Sequence, residues 1–144
     1  MQLTRAADYG VRVMVHLATL PAGKRALLPE LAVATAAPES FLSKVMQALA
    51  HAELIISQRG KTGGFAILPR GRKATMLEVI EAIDGPIRLN VCLNGSKDCE
   101  RKSWCPAHPV WARAQRAMTD VLMSVTVSAM ASRALSQGSV TLRE

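Results

Sequence analysis

Aromatic residues are nearly absent, at 3% of 144 residues. A β-sandwich draws heavily on Tyr, Phe and Trp, so the apolar stock of Ala, Leu, Val and Met favours helices instead. Long apolar runs are also lacking. No stretch approaches the ~18 residues of a membrane span, and Arg5 and Asp8 interrupt the first apolar segment, so neither a signal peptide nor a membrane anchor is expected. Cysteine is scarce and odd in number. Three cysteines do not make a secreted disulfide framework, and the expected compartment is the cytoplasm, where thiols stay reduced and clustered Cys more often bind metal.

Acidic residues are thin in the first half. Residues 1–75 hold ten Lys/Arg and four Asp/Glu, a net of +6, whereas residues 76–144 hold eight and seven, a net of +1. This asymmetry points to a polyanion-binding module followed by something else. The hydrophobic share, 49%, is enough for a packed core. The length fits one domain, or a small domain with an appended dimerisation arm.

The order of elements refines that reading. Thr4 is a suitable N-cap for a helix to about Leu20, with Tyr9, Val13, His16, Leu17 and Leu20 at core spacing; Pro21-Ala22-Gly23 stops it. Pro29 and Pro38 suit the first turns of two short helices, over about 29–35 and 38–51. In the second, Phe41, Val45 and Leu49 form an apolar stripe with Leu42 and Met46 beside it, and Phe41 is assigned to the core. Its other face carries Ser40, Ser43, Lys44 and Gln47, groups that reach base edges and phosphates. Two short helices with a tight link and a polar outer face form a helix-turn-helix pattern.

Residues 55–68 change period. Ile55–Arg59 and Phe65–Leu68 flank Gly60-Lys61-Thr62-Gly63-Gly64, a β-hairpin signal with Arg59 and Lys61 at its tip. A hairpin placed there is a wing, whose cations touch phosphate or a narrow minor groove. Arg5, Lys61, Arg70, Arg72 and Lys73 are read as backbone contacts or surface charges. Thr75-x-x-Glu78 is a capping box for a helix to about Asp84, ended by Gly85-Pro86. A long helix follows from about Pro106, with Val110, Ala114, Met118 and Val121 in register and Ala117, Leu122 and Val125 beside them. Its wide stripe is expected to pack on a partner subunit as well as on its own core. Thr126 is placed to cap one further short helix.

Between these helices lies Cys92-x6-Cys99-x5-Cys105, followed by His108. Thiolates favour zinc, copper(I) or iron–sulfur clusters, and Lys97, Arg101 and Lys102 would help keep them deprotonated. Zinc knuckles use closely paired ligands that this loop lacks, and its longer gaps suit a larger cluster. Zinc binding and independent thiols remain open on spacing alone. Catalysis is not expected: the histidines at 16, 51 and 108 are far apart, and neither a nucleophile elbow nor a phosphate loop is visible.

The run Met1-Gln2-Leu3-Thr4 with Asp8-Tyr9-Gly10, the wing Arg59–Gly64 and the three-Cys loop together resemble the bacterial iron–sulfur transcription regulators. This family includes the cluster-assembly repressor IscR and the nitric-oxide-sensing repressor NsrR. The resemblance covers roughly residues 1–130 and is closer to the nitric-oxide-sensing type. It implies a mainly α fold with a small β-wing: a winged helix-turn-helix domain over 1–85, a cluster-binding loop and long dimerisation helix over 86–135, and a flexible tail over 136–144. It also implies a homodimer on a double-stranded DNA operator, with a 4Fe-4S or 2Fe-2S cluster near the dimer interface. Nitric oxide, redox state or iron supply would then set operator affinity.

By that resemblance Cys92, Cys99 and Cys105 are cluster ligands. The fourth is either Asp8, reaching the partner's cluster as in the nitric-oxide-sensing type, or His108, as in the cluster-assembly type; the residues around Asp8 tilt the expectation toward it. The expected DNA contacts are Arg5, Ser40, Ser43, Lys44, Gln47, Arg59 and Lys61. The chain departs from the family at Pro38-Glu39-Ser40-Phe41-Leu42-Ser43, so the family's target sequences do not transfer. A zinc-stabilised or thiol-based redox-sensing regulator without a cluster is the alternative.

Overall fold

The computed structural model describes residues 2–95 and 99–138. Among them the chain runs α1 (Arg5–Thr19), α2 (Leu28–Thr35), α3 (Glu39–His51), β1 (Ile55–Gln58), β2 (Gly64–Ile67), α4 (Pro69–Lys73), α5 (Met76–Asp84), a 3₁₀ turn (Val91–Leu93), α6 (His108–Met123) and α7 (Val127–Ser136).

Helix α1 starts where Thr4 caps it, its hydroxyl accepting the Ala7 N–H at 3.1 Å. The same hydroxyl donates to the Asp84 carboxylate at the end of α5, so one side chain both starts α1 and ties it to a later helix. Buried positions Ala7, Gly10, Val13, Met14, Leu17 and Ala18 follow the helical period, and α2, α3, α5 and α7 pack around them. Tyr9, His16 and Leu20, expected on that stripe, lie half-buried at its edges. The end of α1 is closed from a distance: Arg72 of α4 donates to the carbonyls of Ala18 at 2.9 Å and Leu20 at 3.3 Å. Arg72, read from sequence as a backbone contact or surface charge, thus acts as a C-terminal clamp.

Helix α2 begins with Pro29 in its first turn, and the Glu30 carboxylate accepts the Leu27 N–H at 2.8 Å. It ends at Ala36, in the left-handed region with φ 53°, whose N–H turns back to the carbonyls of Ala32 and Val33. That tight reversal delivers α3, which buries Leu42, Val45, Met46 and Leu49. Phe41 is a correction. It is 44% exposed, because the buried stripe is centred on Leu42 and Phe41 falls at its rim, edge-on to the Tyr9 ring at 5.6 Å.

Strands β1 and β2 pair antiparallel, with Ile55 opposite Ile67 and Gln58 opposite Gly64. Ala26, just before α2, adds a short third rung, exchanging N–H···O bonds with Phe65 at 2.9 and 2.8 Å. Gly64 permits that approach: its φ is +116°, and a β-carbon there would lie 2.8 Å from the Ala26 carbonyl. The expected wing is therefore present, and it is anchored to the segment before the helix-turn-helix.

The C-terminal third forms two helices that meet the body differently. Segment 125–127 pairs with the linker before α5, through Met76 N–H to Val125 O at 2.9 Å and Val127 N–H to Ala74 O at 2.8 Å. Thr126 caps α7, as its sequence indicates, and α7 lies against α1 and α4 with Val127 and Ala131 buried. By contrast α6 has no buried residue. Met118 and Leu122 touch the cluster of Ala7, Leu77, Ile80 and Ile87, while Val110 and Val121 are 62% and 66% exposed. Short α4 was not legible in the sequence. Its five residues start on Pro69 and are too few to show a period.

Two outcomes test this packing. A β-carbon on Gly71 would collide with the Leu54 carbonyl and crowd Ile67 and Met14. Gly71→Ala should therefore destabilise the protein by about 1–3 kcal/mol in urea unfolding; an unchanged midpoint would show that α4 shifts freely. Burial holds the His16 imidazole below its ordinary 6.5, a shift that the Glu30 carboxylate opposes. Arg12, Lys24 and Arg25 line the same surroundings. The folded state then binds fewer protons than the unfolded chain just below pH 6.5, and this contribution to stability is lost as pH falls through that window. His16→Gln should flatten the decline in urea midpoint between pH 7.5 and 5.5; equal slopes would refute the assignment.

Candidate nucleic-acid interface and cysteine loop

The expected DNA contacts lie on three elements. On α3, Ser40, Ser43, Lys44 and Gln47 are all exposed, and their side chains make no hydrogen bond or ion pair with described residues. Burial of Leu42, Val45, Met46 and Leu49 fixes the helix and leaves the intervening positions outward. Arg59 and Lys61 are exposed around the wing turn and are likewise free of internal partners. Arg5 stands at the first position of α1, exposed. A cation there opposes the helix dipole, so its placement is not a device for stabilising α1.

Arg70 departs from this group: its guanidinium lies 3.5 Å from the Glu53 carboxylate, both exposed. Such pairs contribute little to stability.

The three cysteines are free thiols. Cys92 is buried in the 3₁₀ turn, which Asn90 caps by accepting the Val91 N–H at 2.8 Å. Cys99 and Cys105 are half-buried. The chain then coils tightly into α6: Cys105 N–H donates to Arg101 O at 2.8 Å, and His108 N–H to Cys105 O at 3.2 Å. His108 opens α6, and its Nδ1 is buried without a hydrogen-bond partner. Lys97, expected to help deprotonate the thiols, lies outside the described residues. Arg101 instead stacks over the Trp104 ring at 5.9 Å.

Among the described residues no three His, Cys, Asp or Glu side chains are gathered into a group able to hold a metal ion. The donor chemistry nevertheless suits a soft metal centre: three free thiols and an unpartnered imidazole nitrogen within one short segment. Asp8 is engaged elsewhere in the protomer. Its carboxylate meets Arg12 Nη2 at 2.7 Å. Arg12 also donates to Thr35 O at 3.1 Å, at the end of α2, and lies 5.6 Å from the centre of the Tyr9 ring. Tyr9 in turn touches Phe41 of α3. Sequence reasoning missed this Asp8–Arg12–Tyr9–Phe41 chain; only the i,i+4 spacing of Asp8 and Arg12 signalled part of it.

The family model for Rrf2, described as "Iron-dependent Transcriptional regulator", matches residues 3–133. The chain belongs to the Rrf2 family. A Mycobacterium tuberculosis protein described as an HTH-type transcriptional regulator is 32% identical over 136 residues, covering 94% of this chain and 84% of the relative. The regulator IscR of Vibrio cholerae is 27% identical over 127 residues, covering 88% and 73%. Among solved structures, CymR, the global cysteine regulator of B. subtilis, aligns with a TM-score of 0.72 and 25% identity over 92% of this chain and 98% of CymR. The IscR of T. potens aligns with a TM-score of 0.74 over 93% and 88%; at 22% identity it supports the fold alone. The chain is thus an Rrf2-family transcription regulator with a winged-helix fold, and Rrf2 regulators bind DNA. The Mycobacterium tuberculosis and Vibrio cholerae relatives are both named as transcriptional regulators. No helix among the described residues is long and apolar enough to cross a membrane.

Arg59→Ala should weaken binding to a cognate DNA site about tenfold or more and lower the salt dependence of that binding. Unchanged affinity in a gel-shift titration would reduce Arg59 to a surface charge.

Proposed function

We propose that this chain is a cytoplasmic, homodimeric repressor whose affinity for a double-stranded DNA operator is controlled by an iron–sulfur cluster. The observation that carries this reading is the set of three free thiols, Cys92, Cys99 and Cys105, in the same short segment of chain as His108, whose Nδ1 is buried and unpartnered. Cys92, Cys99 and Cys105 would hold the cluster. His108 is the fourth candidate within one protomer, because a buried imidazole nitrogen without a partner is costly unless something binds it. Asp8 of a second copy is the fourth candidate by resemblance to the nitric-oxide-sensing type. When bound, the cluster would supply a centre, 4Fe-4S or 2Fe-2S, that reacts with nitric oxide or oxidants and is lost on iron shortage.

The protein's own residues supply the rest. Ser40, Ser43, Lys44 and Gln47 present the recognition face of α3, while Arg5, Arg59 and Lys61 neutralise phosphate or enter a minor groove. The apolar residues that α6 leaves exposed, Val110, Trp111, Val121 and Met123, are covered in part by α6 of a second copy. Residues 1–85 form the DNA-binding unit and 86–135 the sensing and dimerisation unit. Arg12 links the two ends of the reading, since it holds both the Asp8 carboxylate and the Thr35 carbonyl beside the helix-turn-helix. Drawing Asp8 away would leave Arg12 without its counter-ion and loosen its grip on that turn.

A second reading has its own support. The structural neighbours include Staphylococcus aureus CymR in an oxidized form, and all three thiols of this chain are free. On that reading the same cysteines act as redox-reactive thiols, or hold zinc, without a cluster.

Protein purified anaerobically should be brown and contain iron and acid-labile sulfide. His108→Ala and Asp8→Ala are compared by absorbance and Mössbauer spectroscopy, and the larger spectral change identifies the fourth ligand. Colourless protein with stoichiometric zinc, or with a reversible disulfide and no iron, would sink the cluster reading in favour of the second.

A further inference from the structure

A cavity of about 440 Å³ opens between the C-terminal half of α1, the loop before α2, and α2 itself. It is an open groove, with Leu20, Val33 (72% exposed) and Ala34 as its apolar wall and His16, Lys24, Arg25 and Glu30 on its polar side. It lies apart from the cysteine loop and shares no residue with the expected DNA contacts. That volume falls in the range of small-molecule sites, which combine an apolar wall with a few converging polar groups.

Arg25 sets the chemistry. It lines the cavity, and its guanidinium makes no hydrogen bond or ion pair with any described residue. A guanidinium donates in a planar fork, which matches the two oxygens of a carboxylate. Glu30, the acidic group in the cavity, is already engaged, because its carboxylate accepts the Leu27 N–H that starts α2. With His16 neutral, Lys24 and Arg25 against Glu30 leave one net positive charge, which matches a monoanion better than a phosphate dianion.

We infer that this cavity binds a small monocarboxylate with an apolar body, its carboxylate on Arg25 and its hydrocarbon part against Leu20, Val33 and Ala34.

Binding there has a route to the DNA face. Ala26, adjoining Arg25, is the residue that exchanges both hydrogen bonds with Phe65 of the wing. Glu30 caps α2, the first helix of the helix-turn-helix. A carboxylate drawn onto Arg25 acts on the strand segment that positions the wing, so the ligand is an effector of DNA affinity. This control is independent of any centre on the cysteines.

The test uses full-length protein with butyrate and benzoate as probes, followed by amide chemical shifts in ¹H–¹⁵N NMR spectra. Saturable shifts are expected at Arg25, Ala26, Val33 and Ala34, extending to Phe65. They should be absent in Arg25→Gln and in Ala34→Phe, which fills the cavity while leaving Arg25 in place. The second variant keeps the test decisive if the first fails to fold. The probes should also change DNA affinity severalfold in the wild type and not in Ala34→Phe. Absence of saturable shifts with both probes, shifts that persist in either folded variant, or equal saturation by inorganic phosphate would overturn the assignment. Shifts at the cavity with unaltered DNA affinity would overturn its role as an effector site.

Discussion

Burial of α1 is the constraint on which the other elements depend. Val13, Met14 and Leu17 are essentially inaccessible, and helices from both ends of the chain, α2, α3, α5 and α7, close over them. A helix packed on so many sides at interior density has little freedom to shift alone. Whatever moves α1 moves the recognition helix, and whatever moves α3 is felt by the helices leading to the cysteine loop. The N-terminal end of α1 adds a polar tie, with Thr4 bound to Asp84 on α5. The segment leading to the cysteine loop and helix α3 are therefore two outlets of one packed body.

The polar contacts on α1 complete that connection. Arg12 reaches the end of α2, while Tyr9 reaches Phe41 at the rim of α3. Each contact is exposed or half-exposed and individually weak. Their value is positional, since they determine how α2 and α3 sit against α1 without adding much to the depth of the core. The Ala26–Phe65 rung does the same for the wing, tying it to the segment before α2. Helix α3 and the wing are thus each held by contacts outside the core.

Much of the architecture was legible because its signals are local. Thr4 and the Thr75–Glu78 box announce helix starts through groups a turn away, and the glycines after Arg59 announce the hairpin. Residue types on the outward face of α3 were equally readable, since they alternate with a stripe that must be buried. What failed to show depends on distant partners. Phe41 has the chemistry of a core residue, and only the position of Tyr9 shows that it caps a rim. Arg72 looks like any surface cation until the end of α1 is placed beside it. The candidate metal ligands were legible as chemistry, through thiols in a polar loop, but their mutual geometry is set by how the loop is covered and by residues on either side of α6. Sequence spacing carries no such information.

The Arg72 clamp also has a consequence in time. The residue that closes the last turn of α1 lies 54 positions beyond the Ala18 carbonyl it holds. Closing so long a loop carries an entropic cost that a nascent chain cannot recover until α2, α3, the hairpin and α4 have been made and docked. During synthesis this clamp on the Ala18–Leu20 turn can close only after Arg72 has emerged, later than the turn's own local bonds from Leu20 N–H to Leu17 O and from Thr19 to His16 O.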